Sequence, residues 1–189
     1  LISGIAIAAK AINPNIKIIG VVASGAKGMK DSFESRIPID SLTVRTIADG
    51  IAVRDVTPKL LDIILEYVDE IVEVTDNETA NAILFLLEKH KLVVEGAGAV
   101  ATAALMHKKI DVKNSKVCAI VSGGNIDVTM LSLIIEKGLV KSNRKMNLIV
   151  TLMDKPGTLM HLTEVFTKSS ANIVQIDYDR KSVKLEFGE

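Results

Sequence analysis

The sequence is poor in the residue types that would place it in several functional classes. Its 189 residues include one cysteine, no tryptophan and 3% aromatic residues, and its 23 basic residues are balanced by 23 acidic ones. A single cysteine excludes an intramolecular disulfide and a multi-cysteine zinc site. Without net positive charge or stacking aromatic rings, we expect no binding to nucleic acid. Charged residues interrupt the apolar runs before membrane-spanning length, so we expect no membrane insertion and a cytoplasmic location.

What the sequence does contain is an alternation of short apolar runs with helix-forming segments. Hydrophobic residues make up 48% of the chain, which is enough to bury a core. The apolar runs predict buried β-strands at 16–22, 70–74 and 117–121. Helices are predicted at 3–12, 57–68, 80–91, 95–106 and 127–137, with a weaker one within 25–36. Strands that alternate with helices predict an α/β fold with a parallel sheet, whose ligand sites lie at the carboxyl ends of the strands.

The composition changes at residues 141–145, a polar and basic stretch that predicts a linker. We therefore predict one domain at 1–140 and the beginning of a second at 146–189. The elements predicted in the second domain are two strands, a turn and a helix, at 146–153, 171–179, 154–157 and 158–169, and an alternating segment at 182–187 predicts a further strand. A βαβ piece of this size is too small to bury its own faces.

The sharpest local signal for a binding site is Ser122-Gly123-Gly124-Asn125. A hydroxyl and two glycines stand between a predicted strand and a predicted helix, where a ligand can approach the backbone. The same residues also fit a tight turn in which Ser122 caps the following helix, and their spacing does not separate the two interpretations. The segment lacks the lysine of a Walker loop and the preceding glycine of a nucleophile elbow.

Two other segments have both a structural and a functional interpretation. Glu95 opens a predicted helix, where a carboxylate favours the helix dipole, but it can equally face a ligand. Asp49-Gly50 is typical of a turn that needs a positive φ angle.

Cys118 lies inside a predicted strand, so we expect it in the core. The sequence shows no metal-ligand spacing and no nucleophile–base pair, and we expect no metal site.

Four segments occur in an order and spacing that resemble a known family. They are Leu1-Ile-Ser-Gly-Ile-Ala6, Thr46-Ile-Ala-Asp-Gly-Ile-Ala-Val53, Glu95-Gly-Ala-Gly-Ala99 and Val121-Ser-Gly-Gly-Asn-Ile-Asp127. Together they resemble the threonine dehydratase (threonine ammonia-lyase) family of fold type II pyridoxal-phosphate (PLP) enzymes, which is similar to serine dehydratase and serine racemase. The resemblance covers roughly residues 1–140 and implies part of a three-layer, tryptophan synthase β-like fold. Residues 146–189 resemble the first half of a ferredoxin-like ACT regulatory domain.

The resemblance implies a role for several residues in holding PLP. Ser122 matches the hydroxyl that binds the pyridine nitrogen, and Gly123 is the adjoining glycine of that turn. Gly50 matches a backbone position beside the cofactor ring, and Glu95 a carboxylate of the cleft. Leu1 and the helix that follows it would face the cofactor phosphate, which suits the dipole at a helix N-terminus.

The departures from the family pattern also carry expectations. No lysine lies in the Phe-Lys-x-Arg-Gly-Ala context of the Schiff-base lysine, so we predict no catalytic residue within these 189 residues and an inactive isolated chain. Both ends interrupt predicted elements, so we expect truncation at each. Val22 and Gly28 stand where serine racemases carry the acidic residues of a divalent-cation site, so we expect that site to be absent.

The resemblance implies an allosteric, cytoplasmic lyase that acts on threonine or serine, in isoleucine biosynthesis or threonine catabolism. It also implies a homo-oligomer, either a dimer or a tetramer. Isoleucine or valine would be the effector, bound near the turn formed by Asp154, Pro156 and Gly157. Two alternatives stay open, a non-catalytic amino-acid-binding module and a PLP enzyme similar to serine racemase.

Overall fold

The computed structural model describes residues 1–179 and divides the chain into two units, 1–145 and 146–189. The strand predicted at 182–187 lies outside the described residues. The helices of the first unit are α1 (Ile2–Ile12), α2 (Gly28–Ser35), α3 (Pro58–Tyr67), α4 (Asp76–Phe85), α5 (Gly96–Met106) and α6 (Val128–Lys141). Its strands are β1 (Ile19–Ala23) and β2 (Glu70–Val74), and a single 3-10 turn covers Asp49–Ile51.

The two strands pair in parallel, with Ile19 opposite Glu70 and Ala23 opposite Val74. Because side chains alternate along a strand, the pair has two apolar faces. One face packs with α4, α5 and α6 through Ala23, Val74 and their neighbours, and the other packs with α1, α2 and α3 around Ile71. The first unit is therefore an α/β fold with helices on both faces of a parallel sheet, which confirms the predicted fold class.

Local sequence signals account for the ends of several helices. Thr75 and Glu78 form a capping box at the start of α4, since each side chain accepts a hydrogen bond from the other residue's backbone N–H. For this reason α4 starts four residues before the predicted 80–91 segment. A π-helical turn continues the chain over Leu86–His90, and Lys91 ends it with a φ angle of 59°.

Helix α6 begins where predicted but continues one turn beyond residue 137. Asp127 caps it, with its carboxylate accepting hydrogen bonds from the backbone N–H groups of Thr129 and Met130 at 2.7 and 3.1 Å. Gly138 does not end the helix. A Cβ atom there would overlap Leu84 of α4, so the glycine allows the two helices to pack closely.

The predicted linker 141–145 is attached to the first unit by several polar contacts. Lys141 is the last residue of α6, and the backbone N–H groups of Arg144 and Lys145 both donate to the Leu139 carbonyl. The Arg144 guanidinium binds the Glu88 carboxylate at 2.7 Å, and Lys145 pairs with Glu136.

The strand predicted at 117–121 is wrong, and so is the expected burial of Cys118. These residues pair with no strand among residues 1–179, Cys118 is exposed, and Val117 is 50% exposed. An apolar run becomes a strand only where a neighbouring strand supplies hydrogen-bond partners. In the described chain the paired strands are β1 and β2.

The described part of the second unit contains α7 (Thr158–Lys168), close to the predicted helix at 158–169. The preceding turn is present, and Gly157 has a φ angle of 90°. The strands predicted at 146–153 and 171–179 are wrong for the described residues, in which neither segment is hydrogen-bonded into a sheet. The reason is the same as for 117–121, because apolar content without a paired neighbour does not make a strand.

Candidate functional site

The start of α5 is the point at which two loops of the first unit meet. A Cβ atom on Gly96 would overlap the Ile47 carbonyl oxygen and lie 2.8 Å from Ala48 Cα. A Cβ atom on Gly98 would overlap the Ser122 carbonyl oxygen and lie 2.6 Å from the carbonyl carbon. The backbone of one loop therefore packs directly against each glycine. A residue with a Cβ atom could not be accommodated at either position without a shift of the backbone. The helix start brings the 46–50 segment and the 122–125 segment together.

Glu95 lies between these two loops. A Cβ atom on Gly50 would be 3.6 Å from Glu95 Oε1, and one on Gly123 would overlap that oxygen and lie 3.0 Å from Glu95 Cγ. The Glu95 backbone N–H donates to the Gly123 carbonyl at 3.3 Å. Gly123 has a φ angle of 73°, a backbone conformation that favours glycine.

Ser122 does not cap the next helix, since Asp127 does so. This finding removes the helix-capping interpretation of the serine. Backbone N–H groups of Met130 and Thr129 bind the Asp127 carboxylate and hold its pKa below the ordinary value. Ser122 is half-buried, and its backbone carbonyl lies against Gly98 at the start of α5.

A cavity of about 160 Å³ lies next to Glu95. Its polar lining comes from both loops and from the cap of α6, namely Thr46, Asp49, Glu95, Asn125 and Asp127. Typical ligand pockets measure roughly 300–1,000 Å³, so this cavity by itself is not a complete cofactor pocket. It shows that polar groups of the two loops face a common space.

Contacts at the start of α5 bring four of the predicted site residues together. Gly50, Glu95, Ser122 and Gly123 surround the start of α5. Leu1 is 80% exposed at the start of α1, a helix whose neighbours are α3 and the Gly20 position of β1. The candidate effector residues belong to the second unit and are Asp154, Pro156 and Gly157.

Sequence reasoning missed two residues that hold the 46–50 loop. The Thr46 hydroxyl donates to Asp76 Oδ1 at 2.6 Å, and the Ile47 backbone N–H donates to the same oxygen at 3.2 Å. Thr46 belongs to a segment that was noticed for its resemblance, but Asp76 had only the signal of an acidic residue in the first turn of a helix. That signal is common and does not indicate a tertiary contact.

Residues 1–179 contain neither a cluster of metal-binding side chains nor a helix suited to cross a membrane. Within residues 1–179, no three His, Cys, Asp or Glu side chains come close enough together to hold a metal ion. None of the helices in that part of the chain combines the length and the apolar character needed to cross a membrane.

The chain is similar to curated threonine ammonia-lyases over its whole length. It is 42% identical over 196 aligned residues to L-threonine ammonia-lyase of Thermotoga maritima and 41% identical over 189 residues to that of Geobacter sulfurreducens. Each alignment covers 100% of this chain and 47% of the relative. The chain therefore spans about half the length of these curated relatives.

Solved structures with the same fold include a racemase and a deaminase. Maize serine racemase matches with a TM-score of 0.64 and 33% identity, over 76% of this chain and 45% of that chain. Threonine deaminase isoform 2 of Solanum lycopersicum, in its processed form, matches with a TM-score of 0.65 and 35% identity, over 72% of this chain and 38% of that chain.

A family-level match agrees with these relatives. Residues 1–123 match the family described as pyridoxal-phosphate dependent enzyme, and this range contains Gly50, Glu95, Ser122 and Gly123. The sheet, its two helical layers and the glycine contacts at α5 agree with this match. The chain belongs to the pyridoxal-phosphate dependent enzyme family.

Proposed function

We propose that the protein to which this chain belongs is a threonine ammonia-lyase that converts L-threonine to 2-oxobutanoate and ammonia. The observation that carries the proposal is the convergence of Gly50, Glu95 and Ser122-Gly123 at the start of α5. These are the residues that resemblance to threonine dehydratases assigns to the cofactor site. The full-length similarity of the chain to proteins named L-threonine ammonia-lyase supports the choice of substrate.

The residues at the start of α5 fit a pyridoxal ring. They offer one half-buried hydroxyl, one carboxylate and the backbone of Gly50 and Gly123, with the Glu95 side chain beside both glycines. When bound, pyridoxal phosphate supplies the electron sink that makes breaking of the substrate Cα–H bond feasible. Ser122 would hold the pyridine nitrogen through its hydroxyl. A hydroxyl does not enforce protonation of that nitrogen as a carboxylate does, which favours loss of the β-hydroxyl over transamination.

The start of α1 is the proposed contact for the cofactor phosphate. Helix α1 has no acidic residue in its first turn, and its N-cap residue Leu1 makes no side-chain hydrogen bond to the helix. The first backbone N–H groups of the helix are therefore not satisfied by a capping side chain. Free N–H groups and the positive end of the helix dipole both favour an anion such as phosphate.

The direct test uses the full-length protein, purified with PLP and again after removal of the cofactor. We expect formation of 2-oxobutanoate from L-threonine in the first preparation, and loss of this activity in the second until PLP is restored. A PLP-saturated protein that forms no 2-oxobutanoate from threonine and no pyruvate from serine would refute the proposal.

The isolated 189-residue chain should neither bind PLP covalently nor deaminate threonine. The reason is that none of its lysines has the sequence context of the family's Schiff-base lysine. Borohydride reduction in the presence of PLP, followed by peptide mass spectrometry, tests this expectation. A stoichiometric adduct at one specific lysine would contradict it, whereas its absence leaves the isolated chain as a non-catalytic module.

A second candidate function is racemisation of serine, favoured by the likeness to maize serine racemase. Two residues at the positions of the racemase cation site speak against it. Val22 packs against the core cluster around Ile71, and Gly28 has no side chain, so neither position offers a carboxylate ligand for a cation. Chiral analysis of serine after incubation with the full-length protein separates the two functions.

We further propose that residues 146–189 form part of an amino-acid-responsive regulatory domain. Gly157, with its φ angle of 90° and open space around its Cα, leaves the turn before α7 accessible to an effector carboxylate. Calorimetric titration of isoleucine and valine into the full-length protein should show binding. A matched form that ends at Lys145, after the contacts of Arg144 and Lys145 with the first unit, should lose it. Equal affinity in both forms would refute this assignment.

The proposal includes a cytoplasmic location and a homo-oligomer of two or four copies. The proposed reaction is compatible with two metabolic roles, isoleucine biosynthesis and threonine catabolism. Light scattering of the full-length protein measures the oligomer. Inhibition by isoleucine would favour the biosynthetic setting.

A further inference from the structure

The segment 46–50 has little regular structure of its own and is held by contacts at both ends. Only its last two residues, Asp49 and Gly50, enter a 3-10 turn. At its start, the Thr46 hydroxyl donates to Asp76 Oδ1 at 2.6 Å and also accepts the Ala48 N–H at 3.1 Å. At its end, Gly50 lies beside Glu95 and Ala97 of the α5 start. Asp76 therefore holds one end of a segment whose other end lies in the proposed cofactor site.

The Asp76 carboxylate is available for this contact because other side chains cap α4. Thr75 and Glu78 form the capping box, so the N-cap requirement of the helix is met without Asp76. Asp76 Oδ1 instead accepts two hydrogen bonds from the loop, from the Thr46 hydroxyl and the Ile47 N–H. Hydrogen bonds to an ionised carboxylate are stronger than those between neutral groups.

Ala48 connects the Asp76–Thr46 hydrogen bond to the start of α5. Ala48 is fully buried, and its Cα would lie 2.8 Å from a Cβ atom on Gly96. The loop is thus pressed between Asp76 on one side and the start of α5 on the other. Directly before the loop, the Arg45 backbone N–H donates to the Gly25 carbonyl at 3.0 Å. A loop released from Asp76 would therefore shift between this backbone anchor and the start of α5, which would move Gly50 relative to Glu95.

We propose that Asp76 is a positioning residue for the cofactor site, acting through Thr46 and the Ile47–Ala48 backbone to set the place of Gly50. This inference rests on the proposed function, because the site it positions is the proposed PLP site. The competing explanation is that Asp76 serves only as a negative charge at the N-terminus of α4.

Three variants and one control separate these explanations. Asp76→Ala removes both the charge and the hydrogen-bond acceptor, whereas Asp76→Asn removes the charge and keeps an acceptor oxygen. Thr46→Val removes the hydroxyl with almost no change in shape and leaves the charge of Asp76 in place. Asn77→Ala alters the adjacent exposed residue of the same helical turn and is the matched control.

The first measurement is amide hydrogen exchange in the 189-residue chain, which needs no cofactor. The informative amide is the one that keeps its own acceptor, which is Ala48 in Asp76→Ala and Ile47 in Thr46→Val. We expect exchange at that amide to become about tenfold faster in each variant, because the loop itself is released. Asp76→Asn and Asn77→Ala should stay close to the wild type. Unchanged exchange at Ala48 in Asp76→Ala would overturn the inference, and so would faster exchange at Ala48 in both Asp76 variants with unchanged exchange at Ile47 in Thr46→Val.

The second measurement is the dissociation constant of PLP in the full-length protein. The midpoint of urea unfolding is measured alongside it, to show that each variant is still folded. We expect about fivefold weaker PLP binding in Asp76→Ala and Thr46→Val, with recovery in Asp76→Asn, since both of the weakened variants lose the hydrogen bond between Thr46 and Asp76. Unchanged PLP affinity despite faster exchange would show that Asp76 holds the loop without positioning the site, and would overturn the inference. A wild-type protein that neither binds PLP nor deaminates threonine would refute the proposed function instead, and hydrogen exchange would still report on the loop.

Discussion

Replacing Gly98 by alanine tests whether the start of α5 fixes the Ser122 loop. Gly98 is the third residue of α5, and a Cβ atom there would overlap the Ser122 carbonyl oxygen, 2.6 Å from its carbonyl carbon and 2.8 Å from Val94 Cγ1. The obstructing atoms at Ser122 belong to the backbone, so no side-chain rotation relieves the overlap. Either the loop or the helix start must move.

The size of the effect follows from two opposing terms. Alanine in place of glycine favours a helix by about 0.5–1 kcal/mol, whereas overpacking costs about 1–3 kcal/mol and sometimes more. Gly4 provides a matched control, because it is the third residue of α1 and a Cβ atom there meets nothing within 4 Å. We therefore expect Gly4→Ala to stabilise the chain and Gly98→Ala to destabilise it. The helix term is common to both variants, so the difference between their free energies of unfolding is the overpacking cost, about 1–3 kcal/mol.

Urea unfolding followed by circular dichroism measures the free energies of both variants in the 189-residue chain. Amide exchange at Glu95, whose N–H donates to the Gly123 carbonyl, reports locally on the loop and should become faster only in Gly98→Ala. If Gly98→Ala is as stable as Gly4→Ala and exchange at Glu95 is unchanged, the close approach of Ser122 to α5 is wrong. The assembly of the candidate site would then lose its main support.

Three further predictions concern the site and the cap of α4. In the full-length protein, Ser122→Ala should lower turnover or PLP affinity about two- to tenfold through loss of one hydrogen bond, and unchanged kinetics with unchanged PLP affinity would remove Ser122 from the site. Thr75→Ala should destabilise the chain by about 1 kcal/mol in urea unfolding, because it removes the N-cap of α4, and an unchanged midpoint would contradict the capping box. Burial acts to raise the pKa of Glu78, but the Thr75 N–H and the Lys109 ammonium outweigh it, so its pKa lies below the ordinary value of 4.5. The stability that Glu78 contributes is therefore fully present above about pH 4.5 and is lost as the pH falls through its lower folded pKa; Glu78→Gln should flatten this part of the pH profile of unfolding.

The parts of the fold that were predicted correctly depend on short-range signals. Strand β2 at Glu70–Val74 was predicted with its observed bounds, and the predicted starts of α3, α5 and α6 agree with the structure to within one residue. Each of these helices follows a recognisable residue at its N-terminus, such as Thr57 before Pro58 or Asp127 before Val128. Caps and turns act within a few residues, so a single sequence contains the information.

The wrong predictions all concern strands whose partners a local pattern cannot supply. Residues 117–121 and 146–153 are as apolar as β1, yet within residues 1–179 only β1 and β2 hydrogen-bond to each other as strands. A strand forms only when a neighbouring strand provides its hydrogen-bond partners. Hydrophobic periodicity indicates only which side chains of a segment would face the core. The exposure of Ile149 and Val117 in the structure follows from that missing pairing.

The candidate site shows the same division between local and long-range information. The local pattern singled out Ser122 but did not separate a binding site from a tight turn, and Gly50 and Glu95 each fit an ordinary turn or helix start. Resemblance to a family was needed to favour a site at all three. The structure adds the reason they meet, which is that Gly96 and Gly98 each receive one loop at the start of α5. Asp76 carries no such family signal, and its contact with Thr46 joins residues 30 positions apart. The residues that form a site can therefore be found by resemblance, whereas the residues that hold it in place become visible only when the loops are seen in contact.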